Sequence, residues 1–151
     1  MKNLFEAIYI YYKQDPLSSV LTDLYNTTAP SKAIFPYGVF SLVSDTPNWT
    51  FTENYENCLI QFNIFSKEKS SLQACNIFEA IKGDRELGIG FDFLDLELDN
   101  YTLVSLLREV SQLVQIEDVW QYNITYRILL QKDPTASRIT FKQCLYNLMS
   151  I

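Results

Sequence analysis

An alternation of apolar and polar residues near the C-terminal end, interrupted at Leu129, constrains the fold most. Every second position is apolar, and these positions are Trp120, Tyr122, Ile124, Tyr126, Ile128 and Leu130. Successive side chains of a β-strand point to opposite faces, so a period of two predicts a long strand with one buried face. Residues 55–65 repeat the pattern, with Cys58, Ile60, Phe62 and Ile64 on the apolar side. A sheet with one covered face is therefore expected at the centre of the fold.

Helical periodicity predicts elements that can cover this face. Residues 2–13 carry an apolar stripe at helical spacing. A second helix is expected to start at Pro16, capped by Asp15, with a stripe that runs from Leu17 to Leu24 and Tyr25. A third follows the capping-box sequence Ser-Ser-Leu-Gln at residues 70–73 and ends at Gly83.

The remaining segments complete the expected sheet. Residues 37–44 are apolar on both faces and predict an interior strand, followed by a polar turn at 44–50. Residues 91–98 alternate and predict a strand with Leu94, Leu96 and Leu98 inward. Residues 101–114 fit either a helix or a twisted strand. We thus expect an α+β fold: a single, mainly antiparallel sheet of four to five strands, with two N-terminal helices and one central helix packed on it. Residues 1–132 would form one domain, and 133–151 a C-terminal extension whose apolar pattern predicts no particular element.

Residue types argue against an enzyme. The chain has 151 residues and no histidine, which removes histidine-activated nucleophiles and histidine-containing metal sites. Residues 83–90 place glycines like a phosphate loop, but Ile89 and Gly90 stand where lysine and a hydroxyl residue are required, so a mobile connector is favoured. The three cysteines, Cys58, Cys75 and Cys144, are widely spaced and predict reduced thiols. We expect no catalytic residues, no metal and no cofactor.

Charge is unevenly distributed along the chain. The net charge is −6 and the pI about 4.6, which disfavours a phosphate-binding groove. Residues 76–118 carry ten acidic and three basic side chains, whereas residues 119–151 carry one acidic and four basic. Such an asymmetry can hold neighbouring subunits head to tail or can be an uneven solvated surface. No stretch has the apolar length of a membrane span, so no membrane association is expected.

Three stretches together resemble the tail-completion or tail-terminator family of long-tailed bacteriophages and prophages. They are Phe-Pro-Tyr-Gly-Val-Phe at 35–40, the segment at 51–66 that ends in Phe-Ser, and Val-Trp-Gln-Tyr-Asn-Ile-Thr-Tyr-Arg at 119–127. The resemblance covers roughly residues 4–132. In that family the region after the glycine loop tends to be strand, so the resemblance favours a strand at 101–114. It implies a ring-forming structural subunit, commonly a hexamer, at the head-proximal end of the tail. Its partners would be itself, the tail tube protein and the head connector, with DNA only passing through the lumen. The protein would be located in the virion and, during assembly, in the host cytoplasm.

Candidate contact residues follow from combining the ring with the charge pattern. We expect Asp92, Asp95, Glu97 and Asp99 to face the lumen or a neighbouring subunit. A solvated surface is the simpler reading of these four carboxylates, and a metal site the less favoured one. Candidate basic interface residues are Arg127, Arg138 and Lys142. Three alternative functions stay open: another neck or tail-tube virion protein, a small monomeric adaptor or inhibitor domain, and a carboxylate-dependent hydrolase.

Overall fold

The computed structural model describes residues 1–93 and 95–133, which form three helices and five strands. In chain order they are α1 (Lys2–Tyr12), α2 (Leu17–Val20), β1 (Asp23–Asn26), β2 (Tyr37–Trp49), β3 (Asn54–Ser66), α3 (Leu72–Lys82), β4 (Tyr101–Ile116) and β5 (Val119–Lys132). The strands form one sheet in the order β1-β2-β3-β5-β4. Only the short β1 is parallel to its neighbour, and the other three pairings are antiparallel. The predicted α+β class and single sheet are confirmed.

The covered face of the sheet is built from the even-numbered residues that the alternation predicted. Phe62 on β3 and Ile124 and Tyr126 on β5 are at most 1% exposed. The ring of Phe62 lies 4.9 Å from that of Phe91 and 6.0 Å from that of Tyr126. The helices α1 and α3 pack over these side chains and complete one continuous core. Aromatic rings in this tilted and edge-on contact stabilise the core beyond the area they bury.

The second predicted helix is wrong in its length and its cap. The structure has only the four-residue α2, and Leu24 instead belongs to β1. Leu17, Leu21 and Leu24 are all buried, so a helix and a short helix followed by a strand satisfy the same apolar spacing. Asp15 accepts a hydrogen bond from the Ser18 hydroxyl at 3.0 Å and does not cap the helix.

The third predicted helix has the expected end but not the expected cap. It spans Leu72–Lys82 and stops at Gly83, as predicted. Ser71 is the N-terminal flanking residue, and its side chain makes no capping bond, while the Ser70 hydroxyl accepts a hydrogen bond from the Leu72 N–H at 3.4 Å. Gln73 accepts a hydrogen bond from the buried Ser66 hydroxyl at 2.5 Å, so its side chain joins the helix to the end of β3. The predicted capping box is therefore wrong, because the Gln73 side-chain oxygen accepts its hydrogen bond from Ser66 and not from the first turn of the helix.

Two strand boundaries differ from the prediction. The expected polar turn at 44–50 is wrong, because β2 continues to Trp49 and pairs with β3 there. The predicted strand at 91–98 is wrong in the described residues 91–93 and 95–98, and Leu94, expected inward, lies outside the described part of the chain. Phe91 and Asp92 donate their backbone N–H groups to the Ile81 and Lys82 carbonyls of α3, at 2.8 and 3.2 Å. These bonds satisfy the open end of the helix and leave the segment without a ladder partner. Leu96 is buried as predicted, and Leu98 forms a single bridge with Tyr101.

The ambiguous segment at 101–114 is a strand, as favoured. β4 forms a long hairpin with β5 and lies at the edge of the sheet. Its register shifts twice, between Leu103 and Ser105 and between Arg108 and Val110. Each shift inserts one residue and turns the inward side chains from a period of two to a locally longer one. The first shift places Leu106 on the covered face with Leu103, whereas Leu107 and Val110 of the helical stripe are exposed.

Candidate functional site

Asp92 is engaged inside the subunit. Its carboxylate accepts a hydrogen bond from the Tyr126 hydroxyl at 2.7 Å and forms an ion pair with Arg108 at 3.1 Å. Arg108 also lies over the Phe78 ring, 5.2 Å from its centroid. Burial, and secondarily the bond to Asp92, raises the pKa of Tyr126 above its usual range. The structure thus gives Asp92 an internal role that fastens the chain after α3 to the sheet.

The other three candidate carboxylates point outward. Asp95, Glu97 and Asp99 are exposed, on either side of the buried Leu96 and the half-buried Leu98. They border clefts along α1: one of about 410 Å³ includes Ile10, Gln14, Asp95 and Glu97, and a smaller one of about 100 Å³ includes Asn3, Ile10 and Asp99. The acidic surface therefore consists of Asp95, Glu97 and Asp99 without Asp92, and it lies beside the exposed side chain of Ile10.

Of the candidate basic residues, only Arg127 lies within the described part of the chain. It is on the sheet face opposite the helices, where its Nη1 donates to Asn57 Oδ1 at 3.0 Å and its guanidinium pairs with Glu109. That pairing lowers the pKa of Glu109. Arg127 thus bridges β3, β5 and β4 on the open face. Arg138 and Lys142 lie outside the described residues.

The open face of the sheet carries neutral amides along its centre. Gln61 donates to Asn63 at 2.8 Å on β3, and Gln121 donates to Asn123 at 2.8 Å on β5. Asn63 and Asn123 face each other in the register of the two strands. No helix of the described residues packs on this side. The centre of this face is therefore polar and uncharged, and the Arg127–Glu109 pair and the stacked rings of Tyr37 and Phe65 lie on the same face.

Exposed apolar side chains mark two further surfaces that the sequence reading did not single out as sites. Trp49 and Phe51 lie at the tip of the β2–β3 hairpin and are 72% and 110% exposed. On the edge strand β4, Val104, Leu107 and Val110 are about half exposed or more. The sequence of β4 contains more apolar residues than one buried face of a strand can hold. Which of them are exposed could not be predicted before the strand and its bulges were known.

The described residues show no arrangement typical of catalysis or metal binding. They contain no group of three or more metal-ligating side chains. Cys58 and Cys75 are free thiols, and burial, with the neighbouring Asp45 second, raises the pKa of Cys58 to about 12. A thiol held protonated in this way is a poor nucleophile. Among the helices of the described residues, none has the length and apolar composition needed to cross a membrane.

Comparison with known proteins gives a structural match without a sequence relative. No family model and no curated protein matches the sequence. Among solved structures, a chain of the "Virion of native gene transfer agent (GTA) particle" superimposes with a TM-score of 0.63. The match covers 86% of this chain and 96% of that chain, at 17% sequence identity. The two chains therefore share their fold over nearly the whole length of the virion chain.

Proposed function

We propose that this protein is a structural subunit of a phage-like virion that forms a closed ring at the head-proximal end of the tail. The ring would stop growth of the tail tube and offer a surface to the head connector. The observation that carries this proposal is the fold shared with a chain of a gene transfer agent virion, which spans 96% of that chain. The sequence resemblance to tail terminators supports the finer role.

The two edges of the sheet suit a head-to-tail interface. One edge is the four-residue β1, which is parallel to its neighbour, and the other is the sixteen-residue β4. Because the two edges differ, an edge of one subunit would contact a different surface of the next subunit, which makes the interface heterologous. Heterologous interfaces close into rings when the rotation between subunits permits. Leu107 and Val110 on β4 are 61% and 55% exposed, and they would be buried in this contact.

The charge of the surface supports passage of DNA without binding. The open face presents the amides of Gln61, Asn63 and Asn123 rather than clustered lysine and arginine. A surface without such clusters does not displace the counterions of phosphate, so DNA would not adhere to it. The exposed Asp95, Glu97 and Asp99 would repel phosphate if they face the lumen, or attract a basic side chain if they face a neighbour.

The proposed role requires no catalysis. The chain has no histidine, and its most perturbed groups, Tyr126 and Cys58, have raised pKa values that hold both in the protonated form. Catalytic groups are typically tuned toward the working pH rather than away from it. These shifts are those of packed core residues and support a purely structural subunit.

The decisive experiment is to measure the assembly state of the purified full-length chain. Light scattering coupled to size exclusion gives the mass, and negative-stain electron microscopy gives the shape. We expect a discrete ring with a central opening. Addition of the ring to a polymerising tail tube protein should stop tube growth at a defined length.

Two other outcomes would replace the proposal. Long filaments of the purified protein would identify a tail-tube subunit, because a tube protein continues to add copies whereas a terminator stops. A monomer at all concentrations that leaves tube growth unchanged would favour a small adaptor or inhibitor domain, with Trp49 and Phe51 as its apolar contact surface.

A further inference from the structure

The tip of the hairpin between β2 and β3 presents the most exposed aromatic side chains of the described residues. Trp49 is 72% exposed and Phe51 is 110% exposed. Two hydrogen bonds hold the turn: the Thr50 N–H donates to the Glu53 carbonyl at 2.9 Å, and the Glu53 N–H donates to the Thr50 hydroxyl oxygen at 3.1 Å. Because the turn is already ordered, little conformational entropy is lost when the two rings are buried against a partner.

The outer half of this hairpin is accessible on its β2 side. β1 pairs with β2 only over Tyr37–Phe40, and every residue from Val43 to Trp49 is exposed. The end of the hairpin carries three carboxylates, those of Asp45, Glu53 and Glu56, and no basic side chain. The tip is thus an aromatic surface with acidic side chains beside it.

An apolar cleft lies between α1 and the edge strand β1 of the same chain. It has a volume of about 350 Å³, and its apolar lining includes Phe5, Tyr9, Ile10 and Phe40. Ile10 is 63% exposed and Tyr9 is 39% exposed. A cleft of this size is at the small end of the range of ligand sites, about 300–1,000 Å³, and it suits aromatic side chains as the buried anchors of a protein contact.

The charge around the cleft complements the acidic end of the hairpin. Lys13 Nζ lies 4.9 Å from the centroid of the Tyr9 ring, which lines the cleft. The carboxylate of Glu6, which also lines the cleft, is paired with Lys2 at 3.6 Å. The positive charge of Lys13 therefore favours an acidic side chain that arrives together with an apolar one, as Glu53 would.

The tip cannot fill the cleft of its own subunit. Phe40 on the wall of the cleft and Trp49 at the tip are both on β2, nine residues apart. At about 3.3 Å per residue, the two positions are about 30 Å apart along the strand. That separation is several times the length of a tryptophan side chain, so the tip can enter this cleft only on a second copy of the chain.

The area of such a contact fits a ring better than an isolated pair. An aromatic side chain buries about 150–250 Å², so two of them and the cleft surface that they cover would bury about 600–1,000 Å² in total. Stable interfaces bury about 1,200–2,000 Å². One tip in one cleft is therefore too small to hold two copies together, whereas in a closed ring each subunit inserts one tip and receives another.

We propose that each subunit inserts Trp49 and Phe51 into the cleft between α1 and β1 of the next copy of the chain. Glu53 of the inserting subunit pairs with Lys13 of the receiving subunit. The contact is heterologous, because the tip and the cleft are different surfaces. This inference rests on the proposed ring, in which the tip joins neighbouring subunits in addition to the contact at β4.

Photocross-linking of the full-length protein tests which surface the tip contacts. Phe51 is replaced by benzoylphenylalanine, and cross-linked dimers are isolated under denaturing conditions and mapped by mass spectrometry. We expect at least tenfold more cross-links to the α1 peptide that contains Tyr9 and Ile10 than from benzoylphenylalanine in place of Leu87. Leu87 is the control because it is 70% exposed on the loop that follows α3. Intermolecular cross-links from position 51 to a different surface would overturn the proposal.

Two variants test the two sides of the contact separately. Trp49→Ser with Phe51→Ser removes the tip, and Ile10→Asp places a charge in the cleft. Each should reduce the fraction of protein in rings at least tenfold, measured by light scattering coupled to size exclusion. Thermal unfolding should change little, because these side chains are exposed. A cleft variant that assembles normally while the tip variant does not would mean that the tip docks elsewhere, and would overturn the proposal.

The matched control for both variants is Ile34→Asp with Leu87→Ser. These residues are 68% and 70% exposed, and neither lines the cleft. The control should form rings as the wild type does.

The outcomes for this contact and for the proposed ring are distinguishable. Wild-type rings that persist in both variants overturn the tip contact and leave the proposed function standing. Wild-type filaments overturn the ring, and the cross-link from position 51 then decides the contact between copies. A wild-type monomer that yields no intermolecular cross-link overturns both.

Discussion

The two faces of the central strands β3 and β5 differ in what they do for the molecule. Phe62 and Ile124 on the covered face are almost fully buried and touch helices and aromatic rings. One residue further along each strand, Asn63 and Asn123 lie on the open face and bond to amides on the same strand. Buried apolar contacts are therefore concentrated on one side of the sheet.

A matched pair of phenylalanines on β3 gives the largest test of this difference. Phe62→Ala removes a buried ring and leaves a cavity, so we expect a loss of about 4 kcal/mol in the free energy of unfolding. Phe65→Ala removes a half-buried ring on the open face, which stacks on Tyr37 at 5.0 Å, and should cost about 1 kcal/mol. Urea denaturation of both variants measures the ratio. Equal losses would mean that the open face is as important to stability as the core.

Two glycines test how the chain after α3 is held on the covered face. A side chain at Gly83 would lie 2.0 Å from the Ile89 carbonyl oxygen, and Gly83 also has a positive φ of 88°. Gly83→Ala should therefore cost about 3 kcal/mol and displace Phe91 from the core. Gly88 has a positive φ but open space around it, so Gly88→Ala should cost only about 1 kcal/mol. Thermal unfolding compares them, and a Gly83→Ala cost no greater than that of Gly88→Ala would contradict the close backbone contact.

Two substitutions compare the polar contacts of the two sheet faces, one at the Tyr126 hydroxyl and one at the Glu109 carboxylate. Tyr126→Phe removes the donor to Asp92 on the covered face and should cost about 2 kcal/mol, because the acceptor is charged and half-buried. Glu109→Gln, which breaks the exposed pair with Arg127 on the open face, should change stability too little to resolve. Urea denaturation at neutral pH measures both, and a larger effect for Glu109→Gln would reverse the comparison.

The same hydroxyl makes stability depend on alkaline pH. Folding raises the pKa of Tyr126 above its usual value of 10.0, chiefly because the side chain is buried, so the folded state favours the protonated form. Its contribution is complete below pH 10 and is lost as the pH rises toward the folded value. The Cys58 thiol contributes in the same direction, because burial raises its pKa from 9.0 to about 12. We expect the free energy of unfolding of the wild type to fall more steeply above pH 10 than that of Tyr126→Phe; parallel curves would contradict the assignment.

The smallest effect on stability should accompany the largest effect on assembly. Leu107→Asp with Val110→Asp alters exposed side chains at the β4 edge and should change the free energy of unfolding by about 0.5 kcal/mol. It should nevertheless prevent ring formation, because an aspartate in a buried contact is costly. The control is Leu72→Asp at the start of α3, which is 64% exposed. Rings of unchanged size from the β4 variant, seen by light scattering, would exclude this edge as the interface.

Much of the fold was predictable wherever one periodicity applied without interruption. β3, β5 and α3 were found because their buried residues alternate or recur as those of a regular strand or helix do. β4 was ambiguous because it has two bulges and carries apolar residues on both faces: Leu103 and Leu106 pack against the core, whereas Leu107 and Val110 are exposed. β1 was missed because Leu24 becomes buried either way, and only its pairing with Gly38 on β2 distinguishes a strand from a third helical turn.

The candidate site was predictable only in part, for a different reason. The alternation of residues 91–98 correctly indicated that Asp95, Glu97 and Asp99 are exposed, although the segment is not a strand. It could not show that Asp92 pairs with Arg108, because that contact joins elements far apart in sequence. Nor could it show that Ile10 is exposed at a cleft, since the stripe of α1 defines only its buried side.

The glycine contact after α3 has a practical consequence for engineering. Gly83 and Gly90 bring their backbones together, and two hydrogen bonds between Asp84 and Ile89, at 2.9 and 3.2 Å, close the loop at its base. The tip, residues 85–88, is exposed and is joined to the core through this neck. A short peptide tag inserted between Glu86 and Leu87 should therefore leave the core undisturbed whatever the length of the tag, because the base of the loop stays closed. It would provide an affinity handle that leaves both sheet faces and both sheet edges unaltered.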